Sequence, residues 1–149
     1  MNHLEKAKKL FTSGYNCAQS VFGAFDDITK IPLETSLKLA SSFGGGMGGL
    51  RSTCGAVTGM FMVIGCVCGY NTTENHSEKV EHYAKVRKLA EEFQNKNKSL
   101  QCRELLSSLS ENLKQNPSIR TKEYYKVRPC LKFVLDAVEI LDKELSKFE

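Results

Sequence analysis

Apolar and polar residues alternate with a helical period along most of the chain. The first segment predicts a short helix that ends at Gly14, with its apolar side at Leu4, Ala7 and Phe11. A second helix is predicted over "YNCAQSVFGAF", where Asn16 is a suitable N-cap. A third is predicted over "PLETSLKLASSF", because proline is favoured in the first turn of a helix.

The second half of the chain continues this pattern. A long amphipathic helix is predicted over "NTTENHSEKVEHYAKVRKLAEEFQNK", with its inner side at Val80, Tyr83, Ala84, Val86, Ala90 and Phe93. A short helix is expected in "SLQCRELLSSL" with Ser99 as N-cap, and another turn or two in "NPSIRTKEYYKV". The last helix has the clearest spacing, at Leu131, Val134, Leu135, Val138, Leu141, Leu145 and Phe148. No segment alternates like a strand, so the sequence predicts one all-α domain over residues 1–149.

An uncharged stretch from Cys54 to Tyr70 separates the two halves. As a helix it would span roughly 25 Å, which is short of the ~30 Å hydrocarbon core of a membrane. We therefore expect a helix at the centre of a compact bundle rather than a membrane span. Nine of the eleven glycines lie between positions 44 and 69. Those at 44–49 predict a loop with unusual backbone angles, and those spaced four apart in the helix predict close packing against another helix, with a homodimer as one outcome.

Composition and charge narrow the functional classes. The chain has 149 residues, 26% of them charged, and a net charge of +4 without a concentrated basic tract. That balance does not favour nucleic acid as the partner. The first residues lack the apolar core of a secretory signal, which predicts a cytoplasmic protein. In a reducing compartment, six cysteines are expected to be reactive thiols or metal ligands rather than structural disulfides.

Four of these cysteines fall at the predicted beginnings of helices, namely Cys17, Cys54, Cys102 and Cys130. Unpaired backbone N–H groups and the positive end of the helix dipole stabilise a thiolate there, which lowers the pKa of the cysteine. Basic residues surround Cys130 along the chain. The remaining two, Cys66 and Cys68, lie within the apolar helix and are interpreted as core packing.

The same residues carry a family resemblance. The motif "CGAVTG", preceded by the glycine loop "FGGGMGG", resembles the CGAxxG motif of the C-GCAxxG-C-C family, small prokaryotic proteins described as redox-active. The family's four cysteines correspond to Cys17 in "GYNCAQSVF", Cys54 in "CGAVTG", Cys102 in "CRELL" and Cys130 in "RPCLKFV". The resemblance covers nearly the whole chain and implies that the four thiols act together. Some relatives are associated with selenocysteine at a cysteine position, and others, related to a cytochrome with a split Soret band, with an iron–sulfur cluster.

Three functions remain open on this basis. In the first, the four cysteines gather into one redox site, where Cys54 is the most reactive sulfur and Cys17 its closest companion; a thiol oxidoreductase is the corresponding enzyme class. In the second, the same four cysteines ligate an iron–sulfur cluster or zinc in an electron-transfer protein. In the third, the chain is a non-catalytic helical binding module using the basic run with Tyr124 and Tyr125, although a solvated helix face is the favoured interpretation of that run. The electron donor or acceptor is not identified by the sequence.

Overall fold

The structure is a computed structural model that describes residues 1–107 and 116–148. Within these ranges the chain is all-α. The helices are α1 His3–Thr12, α2 Cys17–Ala24, α3 Asp26–Thr29, α4 Leu33–Ala40, α5 Gly55–Cys68, α6 His76–Asn97, α7 Cys102–Leu105, α8 Lys122–Val127 and α9 Cys130–Leu145, with 3₁₀ turns at Ser41–Phe43 and Ser146–Phe148. The described residues contain no strand longer than a single bridge between Thr53 and Gln101. The predicted fold class is confirmed.

Helix α2 occupies the middle of the bundle. It packs against α1, α4, α5 and α9, and its residues from Ala18 to Ala24 are buried except for Gln19, which is half-buried. Asn16 caps it as predicted: its side chain accepts a hydrogen bond from the Gln19 N–H, and the Gln19 side chain accepts one from the Asn16 N–H. This reciprocal pair fixes where the helix begins and therefore where Cys17 lies.

Helix α5 is central over its first ten residues only. Gly55 to Met60, Val63 and Ile64 are buried, and the turn at Gly55 and Gly59 lies against α2, as the small-residue spacing predicts. The final turn runs out of the core, so Cys66 is exposed and Gly65 faces open space among the described residues. The interpretation of Cys66 as core packing is therefore wrong. None of the described helices is both long enough and apolar enough to cross a membrane.

Helix α6 corrects a second expectation. Leu89 and Phe93 are its buried residues, and Phe93 contacts Phe133 of α9. At its beginning, Val80, Tyr83 and Ala84 were predicted to face inward but are exposed. The helix has 22 residues and is about 33 Å long, and both of its buried residues lie in its second half.

The smaller elements agree with the sequence predictions except in a few local details. Pro32 is the N-cap of α4, and Phe148 at the end of the last segment is exposed rather than buried. Ser99 accepts a hydrogen bond from the Gln101 N–H, so it shapes the bend before α7 whereas Gln101 is the N-cap. Helix α3 was not predicted. Residues 108 and 109 of the predicted "SLQCRELLSSL" helix lie outside the described residues.

The glycine loop and the bridge together bring distant segments to the beginning of α5. Glycines 45, 46, 48 and 49 have positive φ angles, as does Met47 between them. The N–H groups of residues 47–49, 51 and 52 donate to carbonyls at 42–46, so the loop is folded on itself. After it, the Cys54 N–H donates to Leu100 O at 2.7 Å and the Cys102 N–H donates to Ser52 O at 2.6 Å. These two bonds join the residues before α5 to the residues before α7.

Candidate functional site

Each of the four predicted site cysteines lies at the beginning of a helix. Cys17, Cys102 and Cys130 are the first residues of α2, α7 and α9, and Cys54 is the N-cap of α5. Pro129 precedes α9 as its N-cap, which leaves the start of this helix without a side-chain cap. All six cysteines of the chain are free thiols in the structure.

These four helix beginnings surround one cavity. Its volume is about 520 Å³, and Cys17, Cys54, Cys102 and Cys130 all line it. Cys54 is 4% exposed, and Cys102 and Cys130 are each 7% exposed, so the sulfurs lie in the wall rather than on the outer surface. The glycine loop and the segment 116–120 complete the wall. Cys66 and Cys68, at the far end of α5, are not part of it.

Cys17 and Cys130 act on each other in this cavity, with opposite effects on their pKa values. The interaction with Cys17 lowers the pKa of Cys130 below the ordinary value of 9.0, and the positive charges of Arg128, Arg120 and Arg51 lower it further against the effect of burial. The interaction with Cys130, together with burial, raises the pKa of Cys17 well above 9.0. Of the two thiols, Cys130 is therefore the one that loses its proton first.

Cys54 differs from the expectation for its position. The Ala56 and Val57 N–H groups of the first turn of α5 do lower its pKa. Burial opposes them and is the larger effect, with the neighbouring Cys130 and Cys102 adding to it, and raises the pKa of Cys54 to about 12. The expectation of a lowered pKa at Cys54 is therefore wrong, whereas its place as the most reactive sulfur stays a prediction. The position at a helix beginning correctly predicts that the N–H groups of the first turn lower the pKa of Cys54. It does not indicate how deeply the thiol is buried.

Cys102 has a cationic neighbour that the chain order does not reveal. The Arg51 guanidinium donates from Nη1 to the Cys102 sulfur at 3.6 Å. Arg51 itself has a φ of 59° at the end of the glycine loop, which turns the chain toward α7. The bridge of Thr53 with Gln101 could not be found from helical periodicity, because it joins two short irregular segments.

The basic run before α9 forms part of the cavity wall. Arg120 lies over the rings of Phe11 and Tyr124 at 4.6 and 4.5 Å, and it donates to the carbonyls of Phe11 and Tyr15 at 3.2 and 2.9 Å. Arg128 lies over the Tyr124 ring at 5.0 Å. Burial raises the pKa of Tyr124 to about 12, with a contribution from Cys130. The interpretation of this run as a solvated helix face is wrong for these three side chains.

The alternative of a metal or iron–sulfur site needs several ligands around one point. In the described ranges, no group of three or more His, Cys, Asp or Glu side chains is arranged to hold a metal ion. The four thiols share a cavity, but as they lie in this structure they do not fit a four-thiolate site of the kind that zinc or a cluster requires.

The geometry defines a class: a helical protein in which four cysteines from separate helix beginnings line one arginine-bearing cavity. The comparisons agree with this description. The model of the family C_GCAxxG_C_C, described as "Putative redox-active protein (C_GCAxxG_C_C)", matches residues 15–144, and the chain belongs to that family. No curated protein and no solved structure matches the chain.

Proposed function

We propose that this protein carries out thiol–disulfide exchange, with Cys130 as the attacking sulfur and Cys17 as the resolving one. The observation that carries the proposal is that these two cysteines begin two packed helices and line the same cavity, where their interaction lowers the pKa of Cys130 and raises that of Cys17. Exchange needs one sulfur that ionises readily and a second thiol nearby, and this pair fits both requirements. The membership of a redox-active family is consistent with it.

The exchange begins at Cys130. Its thiolate attacks one sulfur of a disulfide R–S–S–R, so that a bond forms between Cys130 and one sulfur while the original S–S bond breaks. The leaving thiolate takes the bonding electron pair with it. The arginines that lower the pKa of Cys130 also stabilise the negative charge that moves to the leaving group.

Cys17 completes the reaction. Its thiol gives up its proton and attacks Cys130, which displaces the second R–S group with its electron pair; that group takes the proton and leaves as a thiol. The two protein thiols are thereby oxidised to one disulfide, and the substrate disulfide is reduced to a thiol and a thiolate. The reverse sequence, driven by a reducing partner, returns the protein to the dithiol form.

Cys54 and Cys102 take supporting positions in this proposal. With a pKa of about 12, Cys54 stays a thiol and does not compete with Cys130 as the nucleophile. The Cys102 sulfur accepts a hydrogen bond from the Arg51 guanidinium at 3.6 Å. We assign neither of them an electron-transfer step, and a non-catalytic binding role for the module receives no separate support from the site.

The test uses the reduced, metal-free protein under anaerobic conditions. It is equilibrated in mixtures of reduced and oxidised dithiothreitol, trapped with N-ethylmaleimide and analysed by peptide mapping. We expect one disulfide, between Cys17 and Cys130, that forms and is reduced reversibly. Cys17→Ser and Cys130→Ser should each abolish it, whereas Cys66→Ser, at an exposed cysteine outside the cavity, should leave it unchanged. A different pairing, or no disulfide, contradicts the proposal.

A second arm separates this proposal from metal ligation. The protein is purified without oxygen, its iron and zinc are quantified, and it is then treated with a chelator. Thiol–disulfide exchange by the Cys17–Cys130 pair requires no metal, so its equilibrium should be the same before and after chelation. Stoichiometric iron or zinc whose removal changes the Cys130 reactivity would instead favour the ligation alternative.

A further inference from the structure

The charged side chains that the described part of the chain contributes to the cavity wall are of one sign. Arg51, Arg120 and Arg128 line it, and no aspartate or glutamate is among the described residues of its wall. After the interaction with Cys17, these three arginines are what lower the pKa of Cys130 against the effect of burial. A cleft lined by charges of one sign concentrates ions of the opposite sign and accelerates their arrival.

Two of these charges are held in place by contacts with neighbouring groups of the protein. Arg120 is fixed by the carbonyls of Phe11 and Tyr15 and by stacking on aromatic rings. Arg128 lies over the Tyr124 ring, and its Nη2 donates to the Ser118 hydroxyl at 3.4 Å. Side chains anchored in this way lose little additional freedom when an anion binds beside them.

The size of the cavity limits what reaches the sulfurs. About 520 Å³ is within the range of pockets that enclose small molecules. Cys130 is 7% exposed, so a disulfide on the surface of a folded protein cannot approach it without entering the cavity. The substrate that fits this cavity is a small molecule whose reactive sulfur can enter it while its charged groups contact the arginines.

We propose that the substrate of the Cys17–Cys130 pair is a small disulfide that carries carboxylates on both arms. This inference rests on the proposed thiol–disulfide function and adds the chemical class of the partner. The carboxylates pair with the Arg120 and Arg128 side of the cavity, and the sulfur faces Cys130. The thiolate that leaves is released into the same positive surroundings, and exchange then proceeds as described above.

The first test measures the preference for anions without any redox step. Iodoacetate and iodoacetamide alkylate the same thiolate and differ by one negative charge. Their rate ratio at Cys130 is compared with their ratio at the exposed Cys66, about 18 Å along α5 from Cys54. Because both reagents need the thiolate, the thiolate fraction of each cysteine cancels within its own ratio. We expect the ratio at Cys130 to exceed that at Cys66 by about tenfold at low salt.

Two further measurements assign this preference to the cavity. Arg128→Gln should lower the ratio at Cys130 several times, whereas Lys122→Gln, which removes an exposed charge outside the wall, should leave it nearly unchanged. If Arg128→Gln does not fold, the salt dependence of the unmodified protein provides the same information. Raising the ionic strength from about 0.01 to about 0.5 M should reduce the ratio at Cys130 and not that at Cys66. Equal ratios at the two cysteines overturn the proposal.

The second test uses three disulfides of similar size. These are 3,3′-dithiodipropionate, which is dianionic, 2-hydroxyethyl disulfide, which is neutral, and cystamine, which is dicationic. In Cys17→Ser protein the mixed disulfide at Cys130 is not resolved and can be quantified against that at Cys66. The proposal requires the order dianion, neutral, dication at Cys130 after this normalisation. If all three react equally well, the anionic substrate class is wrong while exchange itself stands. If none of the three disulfides oxidises the Cys17–Cys130 pair of the unmodified protein, the proposed thiol–disulfide function is wrong, even if iodoacetate is preferred over iodoacetamide. The proposal of a disulfide substrate is then wrong as well.

Discussion

Cys17 and Cys130 begin helices α2 and α9, which pack against each other, and both residues line the same cavity. The interaction between them has opposite consequences for the two thiols, because it raises the pKa of Cys17 and lowers the pKa of Cys130. The structure therefore distinguishes a nucleophile from its partner among cysteines that look alike in the sequence.

Replacing Cys17 tests this interaction directly. Cys17→Ala removes the thiol, so the pKa of Cys130 should rise and its alkylation by iodoacetamide at neutral pH should slow. Cys17→Ser keeps a group that can donate a hydrogen bond at the same place and should restore part of the lower pKa. The measurement is the pH dependence of the Cys130 alkylation rate, whose midpoint should lie highest in Cys17→Ala. Identical midpoints in the three proteins would show that Cys17 does not control the charge of Cys130.

The order in which the cysteines are labelled follows from their different surroundings. Cys130 should be alkylated first at neutral pH, because its pKa is lowered below 9.0. Cys66 is exposed, and its pKa is raised by partial burial, so it should follow more slowly. Cys54, with a pKa of about 12, should react in the folded protein only when the pH approaches that value.

The measurement is a time course with a limiting amount of N-ethylmaleimide, read by peptide mapping. In urea-unfolded protein the differences should disappear, because all six thiols then have ordinary surroundings. Labelling of Cys54 before Cys130 in the folded protein would restore the sequence-based expectation and contradict the site described here.

The beginnings of the helices could be predicted from the sequence, whereas the relative pKa values of the cysteines could not. Where each helix begins is encoded locally, as at Asn16, whose side chain and that of Gln19 form a capping box that the chain order already suggests. The helices α5, α7 and α9 have no side-chain cap, and there the position of the cysteine was predicted from the change from loop residues to helical spacing. Which cysteine has the lowered pKa was not predictable, because that depends on burial at Cys54 and on the interaction of Cys130 with Cys17, which lies near the other end of the chain.

Helix α6 shows the same limit for packing. Its apolar spacing indicates which side of the helix could face a core, and Phe93 does so. Spacing does not indicate how far the neighbouring helices extend, and Val80 and Tyr83 on the predicted inner side are 51% and 48% exposed. The predicted homodimer is not tested by this structure and stays a prediction.

Substitutions in the glycine loop should change the free energy of unfolding by amounts that depend on the space around each glycine. Gly46 has a φ of 68°, and a Cβ there would lie 2.7 Å from the Cys102 Cβ and 2.7 Å from the Arg51 Cα. Gly46→Ala adds a collision with the cavity wall to the cost of a left-handed backbone, and should lower the free energy of unfolding by more than about 2 kcal/mol.

Gly48 provides the control in the same loop. Its φ of 57° is similar, but the nearest atom to an added Cβ is Ser42 O at 3.9 Å. Gly48→Ala should therefore cost only the backbone term, about 1 kcal/mol. Urea unfolding of the two variants measures the difference. Equal losses would mean that the loop does not press against Cys102 as described.

The final prediction concerns the pH dependence of stability and rests on a buried carboxylate at the C-terminal end of α9. Glu144 is 5% exposed and accepts hydrogen bonds from Lys88 at 3.2 Å and from Lys147 at 3.0 Å. Burial alone would raise the pKa of Glu144, but the two lysines outweigh it and hold that pKa below 4.5. A carboxyl whose pKa is lowered by folding stabilises the protein above its unfolded pKa, and that stabilisation is lost as the pH falls through the folded pKa.

Glu144→Gln should consequently lower the free energy of unfolding by about 1 kcal/mol near neutral pH, since both lysines are half exposed and solvent weakens the pair. The loss should shrink as the pH falls below about 4.5, where unmodified protein also begins to lose the interaction. Glu139→Gln is the control, because Glu139 is 53% exposed and lies 3.4 Å from Lys96, and it should change the free energy by less than about 0.5 kcal/mol. Urea unfolding of the three proteins at several pH values measures these differences. A loss at Glu144 that is the same at every pH would mean that the side chain contributes by its packing rather than by its charge.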